Sequence, residues 1–168
     1  PQTPAADVLL ALGIYDSAIE ELRLASQLPA SRFPLSYDTD CPAAILLPHL
    51  SALKRCGQVL QLRGIAELQN GRPDKALDDV MLALRLTDKI RTEPILISHL
   101  VRIAVLQITL QPVWEGLAQH KWSEAQLAAL DAELAKLDFL ADFGFAMRCE
   151  RGGMSCGIIE YLRRQNKN

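Results

Sequence analysis

The strongest constraint on what this chain can fold into is an internal repetition. Residues 60–86 read as a helix, a turn at Asn70-Gly71 and a second helix, and that second helix has a near copy upstream. Gly13 to Leu28 can be laid without a gap on Gly71 to Leu86, an offset of 58 residues (71 − 13), with Gly13/Gly71, Asp16/Asp74, Ala18/Ala76, Leu24/Leu82, Ala25/Ala83 and Leu28/Leu86 identical. The helices that precede the turns repeat on another register. Ile45-Leu46-Leu47-Pro48-His49-Leu50 matches Ile95-Leu96-Ile97-Ser98-His99-Leu100 at an offset of 50 (95 − 45). Self-similarity of this kind belongs to stacked helical hairpins, each unable to bury its apolar face alone.

The expected fold is therefore all-α: about three antiparallel helical hairpins plus C-terminal helices, a short solenoid or bundle within one domain, 1–168. The composition agrees, since apolar residues make up 49% of the chain but aromatics only 5%, and the Leu and Ala that dominate lose little on entering a helix. Residues 5–12 form the first helix, which Gly13 is placed to end in a left-handed conformation, and Asp16 or Ser17 caps the next. A long helix covers 43–69, with Pro48 in its first turn or at a kink. Another runs from Pro73 to about Arg91, and a third starts at Pro94 and bends at Pro112. Ser123 and Gln126 form a capping box for a helix that carries Leu127, Leu130, Leu134 and Leu137 on one stripe. Gly152-Gly153 interrupts the last helical stretch. Residues 29–42 hold three prolines and no helical period, which reads either as a functional loop or as one packed by Phe33, Leu35 and Tyr37.

At its turns the sequence resembles the tetratricopeptide repeat. Gly64 matches the small residue of that family's first helix, Ala76 the small residue early in the second, Val80 the large apolar one and Ala83 the next small one. Gly13, Tyr15, Ala18, Leu22 and Ala25 follow the same pattern. A third echo at His120, Trp122, Ala125, Ala129 and Ala132 has His120 in place of the turn glycine. The repeat spacings exceed the family's own, which makes this an irregular relative. The stretches RFPLSYD, LLPHL and LISHLVRIA are also similar to a group of bacterial helical proteins for which no activity is established. The tetratricopeptide resemblance implies a concave face lined by the first helices, where an unidentified protein or peptide partner binds. In the central hairpin that face would include Gln58, Gln61, Ile65 and Leu68, unless C-terminal helices cover it and make these residues core.

Chemistry is sparse. No Gly-rich phosphate loop, HExxH or GxSxG occurs, so the sequence points to no catalytic residue, cofactor or metal. His49 and His99 hold equivalent places in their helices and mark the site of a rival reading, a small-ligand or enzymatic pocket lidded by residues 29–42. Asp78-Asp79 and Glu20-Glu21 read as solvated, because neighbours on a helix point about 100° apart and do not converge. Cys41, Cys56, Cys149 and Cys156 include no CxxC pair and read as thiols, with Cys149 and Cys156 a weak redox candidate. The formal charge of −2 supplies no basic field for nucleic acid, and Arg148, Arg151, Arg163, Arg164 and Lys167 read as an exposed end. No apolar run approaches the roughly 18 residues that span a bilayer, so insertion by this segment is not expected. The first residue is Pro1 rather than Met, which leaves localisation open, with room for a signal or anchor upstream.

Overall fold

The computed structural model describes residues 3–37 and 39–166, and these are helical throughout apart from turns and one long loop. Eight α-helices occur among them: α1 (Pro4–Leu12), α2 (Asp16–Ser26), α3 (Pro48–Gln69), α4 (Pro73–Asp88), α5 (Leu96–Ala118), α6 (Glu124–Leu134), α7 (Phe139–Cys149) and α8 (Cys156–Gln165). Pro1 and Lys167 lie outside the described residues.

Helices α3, α4 and α5 pack against one another and form the centre. The glycines of α3 set the approach of α5. A Cβ on Gly57 would stand 3.1 Å from Val105 Cγ1, and one on Gly64 would stand 3.3 Å from Pro112 Cβ. Both contacts have an offset of 48 residues (105 − 57 and 112 − 64), so α3 and α5 run parallel, side by side and in one register. Helix α4 runs antiparallel to both. Arg63 meets Asp79 while Leu53 and Leu60 share a cluster with Leu82 and Leu86, and Arg102 reaches Thr87 while Val113 packs with Ala76 and Val80.

Helix α4 is buried on almost every side. Leu82, Ala83 and Leu86 enter a cluster with Ile19, Leu50, Leu53, Leu60 and Ile90; Ala76, Val80 and Leu84 enter a second with Leu68, Val113, Trp122 and Leu130. Removing each such leucine from water is worth about 1.5–3 kcal/mol, which makes α4 the helix on which the others depend. Its Ala76, Val80 and Ala83, singled out by the sequence for their small-large-small sizes, are 0%, 1% and 2% exposed.

Several local expectations are met. Pro48 occupies the first turn of α3, and Ser123 and Gln126 make both bonds of the capping box. Helix α5 continues through Pro112, where a bend was expected, without a break. Others change. The stretch from Pro42 to Ala44 is a separate 3₁₀ turn, so α3 starts at Pro48 rather than near Ala43. Gly13 does not end a helix in a left-handed conformation. It has φ −57° and ψ −24° and opens a 3₁₀ turn, Gly13–Tyr15, that joins α1 to α2 without reversing the chain. The two helices form one arm laid antiparallel along α3, with Thr3 beside Asn70 and Asp16 beside Arg63. The arm packs through α1 on α3 and through α2 on α4. Similarly, Gly152-Gly153 lies in a π-helical turn, Glu150–Ser155, that carries α7 on into α8. Free of a Cβ, glycine permits left-handed backbone, but it does not impose it.

The reversals after α3 and after α5 are built alike. At the end of α3 Gly71 has φ 70°, the Gly71 amide donates to the Leu68 carbonyl (3.1 Å) and the Arg72 amide to Glu67 (2.9 Å). At the end of α5 His120 has φ 51°, its amide donates to Leu117 (3.1 Å) and the Lys121 amide to Gly116 (2.8 Å). This is the Schellman closure at both places. The histidine therefore adopts the backbone that glycine adopts in the first turn.

Candidate functional site

The side of α3 that faces away from α4 is open. Gln58 and Leu62 are exposed there and Gln61 and Ile65 half-buried, and among the described residues none of α6, α7 and α8 packs substantially on α3. Leu68 must be removed from this face. It is 0% exposed and sits among Ala76, Val80 and Val113, because the last turn of α3 is closed in by α4 and α5.

Beside this face lies a groove between α2 and α3, about 470 Å³ in volume and mostly apolar. Tyr15, Ile19 and Leu22 form one wall and Cys56, Val59 and Leu62 the other, with Arg55 and Gln58 at the rim. It exists because α2 leans on α4 rather than lying flush on α3. Leu62 is 51% exposed and Tyr15 42% exposed. Cys56 is half-buried, and burial raises its thiol pKa, which keeps it protonated and unreactive. From Ala52 to Leu62 the groove follows α3 for ten residues, about 15 Å at 1.5 Å per residue.

Asp79 at the base of α2 corrects the reading of Asp78-Asp79 as a solvated pair. Asp78 is exposed, but Asp79 is 1% exposed, with Arg63 Nε at 3.2 Å from its Oδ2 and Arg23 Nη2 at 3.4 Å from its Oδ1. Burial pushes its carboxyl pKa up, and the two guanidinium groups oppose that shift without cancelling it. Arg63 also binds Asp16, so one buried carboxylate ties α2, α3 and α4 together below the groove.

His49 and His99 are placed apart. His49 Nε2 lies 2.8 Å from one oxygen of Glu93 and 3.0 Å from the other, and Phe33 stacks on the ring with centroids 4.3 Å apart. His99 packs between Phe139 and Phe143 of α7, at 5.9 and 5.8 Å. Burial and the nearby Arg102 lower the pKa of His99, so its ring is neutral. His49 Nδ1 and His99 Nε2 are both buried without a hydrogen-bond partner among the described residues. The two rings share no partner. Phe33 thus tucks under the loop as one of the two readings had it, whereas Tyr37 stays 43% exposed.

A cavity of about 350 Å³ does lie under the 29–42 loop, lined by Ser31, Arg32, Phe33, Tyr37, Lys89, Thr92, Glu93 and Pro94. Neither imidazole lines it; His49 reaches it only through Glu93. Partial burial and Glu93 raise the Tyr37 pKa, so the phenol stays protonated. Among the described residues no three His, Cys, Asp or Glu side chains are grouped so as to hold a metal ion. Cys149 is half-buried and Cys156 exposed, both are free thiols, and Cys156 Sγ donates to the Arg151 carbonyl.

Compared with known proteins, the chain matches no family model, no curated protein and no solved structure.

Two features escaped the sequence reading. One is Tyr15, which follows the turn pattern yet forms a groove wall. The other is Arg102, 0% exposed in the second turn of α5. Its Nε donates to the Thr87 carbonyl (3.1 Å), its two terminal nitrogens bind Asp88 and Asp142, and its guanidinium lies 4.5 Å from the centre of Phe139. A lone arginine in an otherwise apolar stretch was the available signal. Contrary to the expectation that no apolar stretch is long enough, helix α5 is by length and mean hydropathy apolar enough to cross a membrane. In the fold, Arg102, His99 and Thr109 of that helix are buried inside the bundle.

Proposed function

We propose that this chain is a non-enzymatic protein-interaction module of tetratricopeptide-like construction, which holds an apolar peptide segment against α3. The observation that carries the reading is the open groove between α2 and α3, continuous with Gln58 and Leu62 on the exposed side of α3. An apolar groove rimmed by an amide and a guanidinium suits an amphipathic segment of two to three helical turns, whose apolar side chains enter while its polar face stays in water. The parallel register of α3 and α5, with α4 antiparallel to both and glycine at the close approaches, supports the tetratricopeptide-like comparison. Selection of peptides from a displayed random library tests the proposal. Enriched sequences should carry apolar anchors and lose binding to a folded Leu62→Glu variant. A library that yields no binder sensitive to Leu62 would refute the groove as the site.

A second reading attaches to the cavity under the 29–42 loop, where Glu93, held by His49, faces Tyr37 and Arg32. These groups suit a small polar molecule. A metabolite that raises the melting temperature of the parent but not of Glu93→Gln would favour this reading over the groove.

A further inference from the structure

Helix α5 presents a second surface, distinct from the groove. Its inward residues, among them Ser98, Arg102, Val105, Thr109 and Val113, are buried. Its outward side carries Leu100 (52% exposed), Ile103 (41%) and Trp114 (67%), flanked by Ile97 (56%) and Leu117 (43%), with exposed Gln107 and Gln111 between. A tryptophan so exposed on a rigid helix is unusual, because an indole in water forfeits one of the largest burial gains any side chain has. The stripe is also uncharged. The charged side chains of α5 are Arg102, which points into the bundle, and Glu115, which is half-buried and accepts from Gln111 and Gln119.

We infer that this stripe is the contact surface of a symmetric dimer, in which α5 of a second copy packs antiparallel across a two-fold axis at Gln107. An isologous interface requires a patch complementary to itself. In an antiparallel pair of helices centred on Gln107, a residue a given number of positions before the centre faces the residue the same number after it. Ile97 and Leu117 stand ten positions either side of Gln107, and Leu100 and Trp114 stand seven either side. Leu100 and Trp114 lie within about 40° of one another around the helix, so each exposed indole covers a leucine of the other copy, while Ile97 and Leu117 flank the contact on opposite edges. Ile103 faces Gln111, and Gln107 meets its own copy. A primary amide is both donor and acceptor, so the two Gln107 side chains can bond reciprocally. No like charges are brought together, which a charged stripe could not avoid on self-association. The stripe spans about 30 Å along α5.

The test is sedimentation equilibrium of the full chain, with circular dichroism to verify folding of each variant. The parent should dimerise, and Trp114→Glu should weaken association at least about tenfold, as loss of a central aromatic anchor does. Gln107→Glu and Gln107→Lys should each weaken it, whereas an equimolar mixture should recover dimers that contain one of each, because only a two-fold contact brings position 107 against itself. A parent that stays monomeric at about 100 µM overturns the inference. So does a dimer indifferent to Trp114→Glu, or a mixture of the charge variants that stays monomeric. None of these outcomes depends on whether the groove beside α2 binds a peptide.

Discussion

Replacing His120 with glycine should stabilise this protein, and the two matching turns allow the size of the effect to be worked out. His120 at the end of α5 has φ 51°, and Gly71 at the end of α3 has φ 70°, with the same two closing hydrogen bonds. A residue with a Cβ loses roughly 1–2 kcal/mol in left-handed backbone. Glycine avoids that penalty but loses about 0.4–1 kcal/mol more chain entropy on folding. The His120 side chain is exposed, and none of the hydrogen bonds of the turn uses it, so its removal leaves nothing unpaired. The difference is a net gain of about 1 kcal/mol for His120→Gly, and for a chain of this length about 2–4 °C in melting temperature. Gly71→Ala should lose about as much, and no atom lies within 4 Å of the added Cβ, so that loss is one of backbone alone. His120→Ala is the control: it keeps the penalty and should stay within about 0.5 kcal/mol of the parent. Urea denaturation of the three variants, read by circular dichroism, measures all of this. If His120→Gly is neutral or destabilising while Gly71→Ala is destabilising, the two turns are not equivalent and the reasoning fails.

Gly116→Ala should be much more harmful than its size suggests. The new Cβ would fall 2.1 Å from Trp122 Nε1, and the indole that must move donates 3.0 Å to the Val113 carbonyl at the foot of the second core cluster. Overpacking of about 1–3 kcal/mol plus a lost buried hydrogen bond is expected, and an unchanged melting temperature would contradict the packing described. His99 should make the fold acid-sensitive. Its folded pKa lies below the unfolded value of about 6.5, so the unfolded chain binds the proton more readily and stability falls as pH drops through 6.5 towards the folded pKa. The parent should lose stability faster than His99→Gln between pH 7 and 5, and parallel urea midpoints would refute the assignment.

Much of the scaffold was legible in the chain. The period of the apolar residues located the helices, the prolines and Ser123 marked their starts, and the small residues Gly64, Ala76 and Ala83 foretold where helices approach closely. These are local or size-based signals, carried by side chains whose preference does not depend on distant partners. Solvent exposure was less legible. Asp79 looked like half of an exposed carboxylate pair, and only the position of α2 on α4 shows that it is enclosed with Arg23 and Arg63. Leu68 was placed on the partner face with Gln58, Gln61 and Ile65, yet it is core, because the covering helix differs between the middle and the end of α3. The equivalence of His49 and His99 was real in the sequence and has no counterpart in their surroundings. One pairs with Glu93 from the turn before α5, the other lies between phenylalanines of α7.

By itself, then, the sequence determined an all-helical chain, the positions of most helices and the small residues at which they meet, since these depend on backbone propensity and side-chain volume within a few turns. Tertiary structure decided which glycines reverse the chain. Gly13 and Gly71 occupy matching places in the repeat, yet Gly13 is right-handed and Gly71 left-handed. The dihedral energy of glycine is nearly the same in both wells. With so little local preference, the choice falls to where the following helix can bury its apolar face: α2 continues along α3 towards α4, and α4 must turn back. The same decision leaves the groove open beside Gln58.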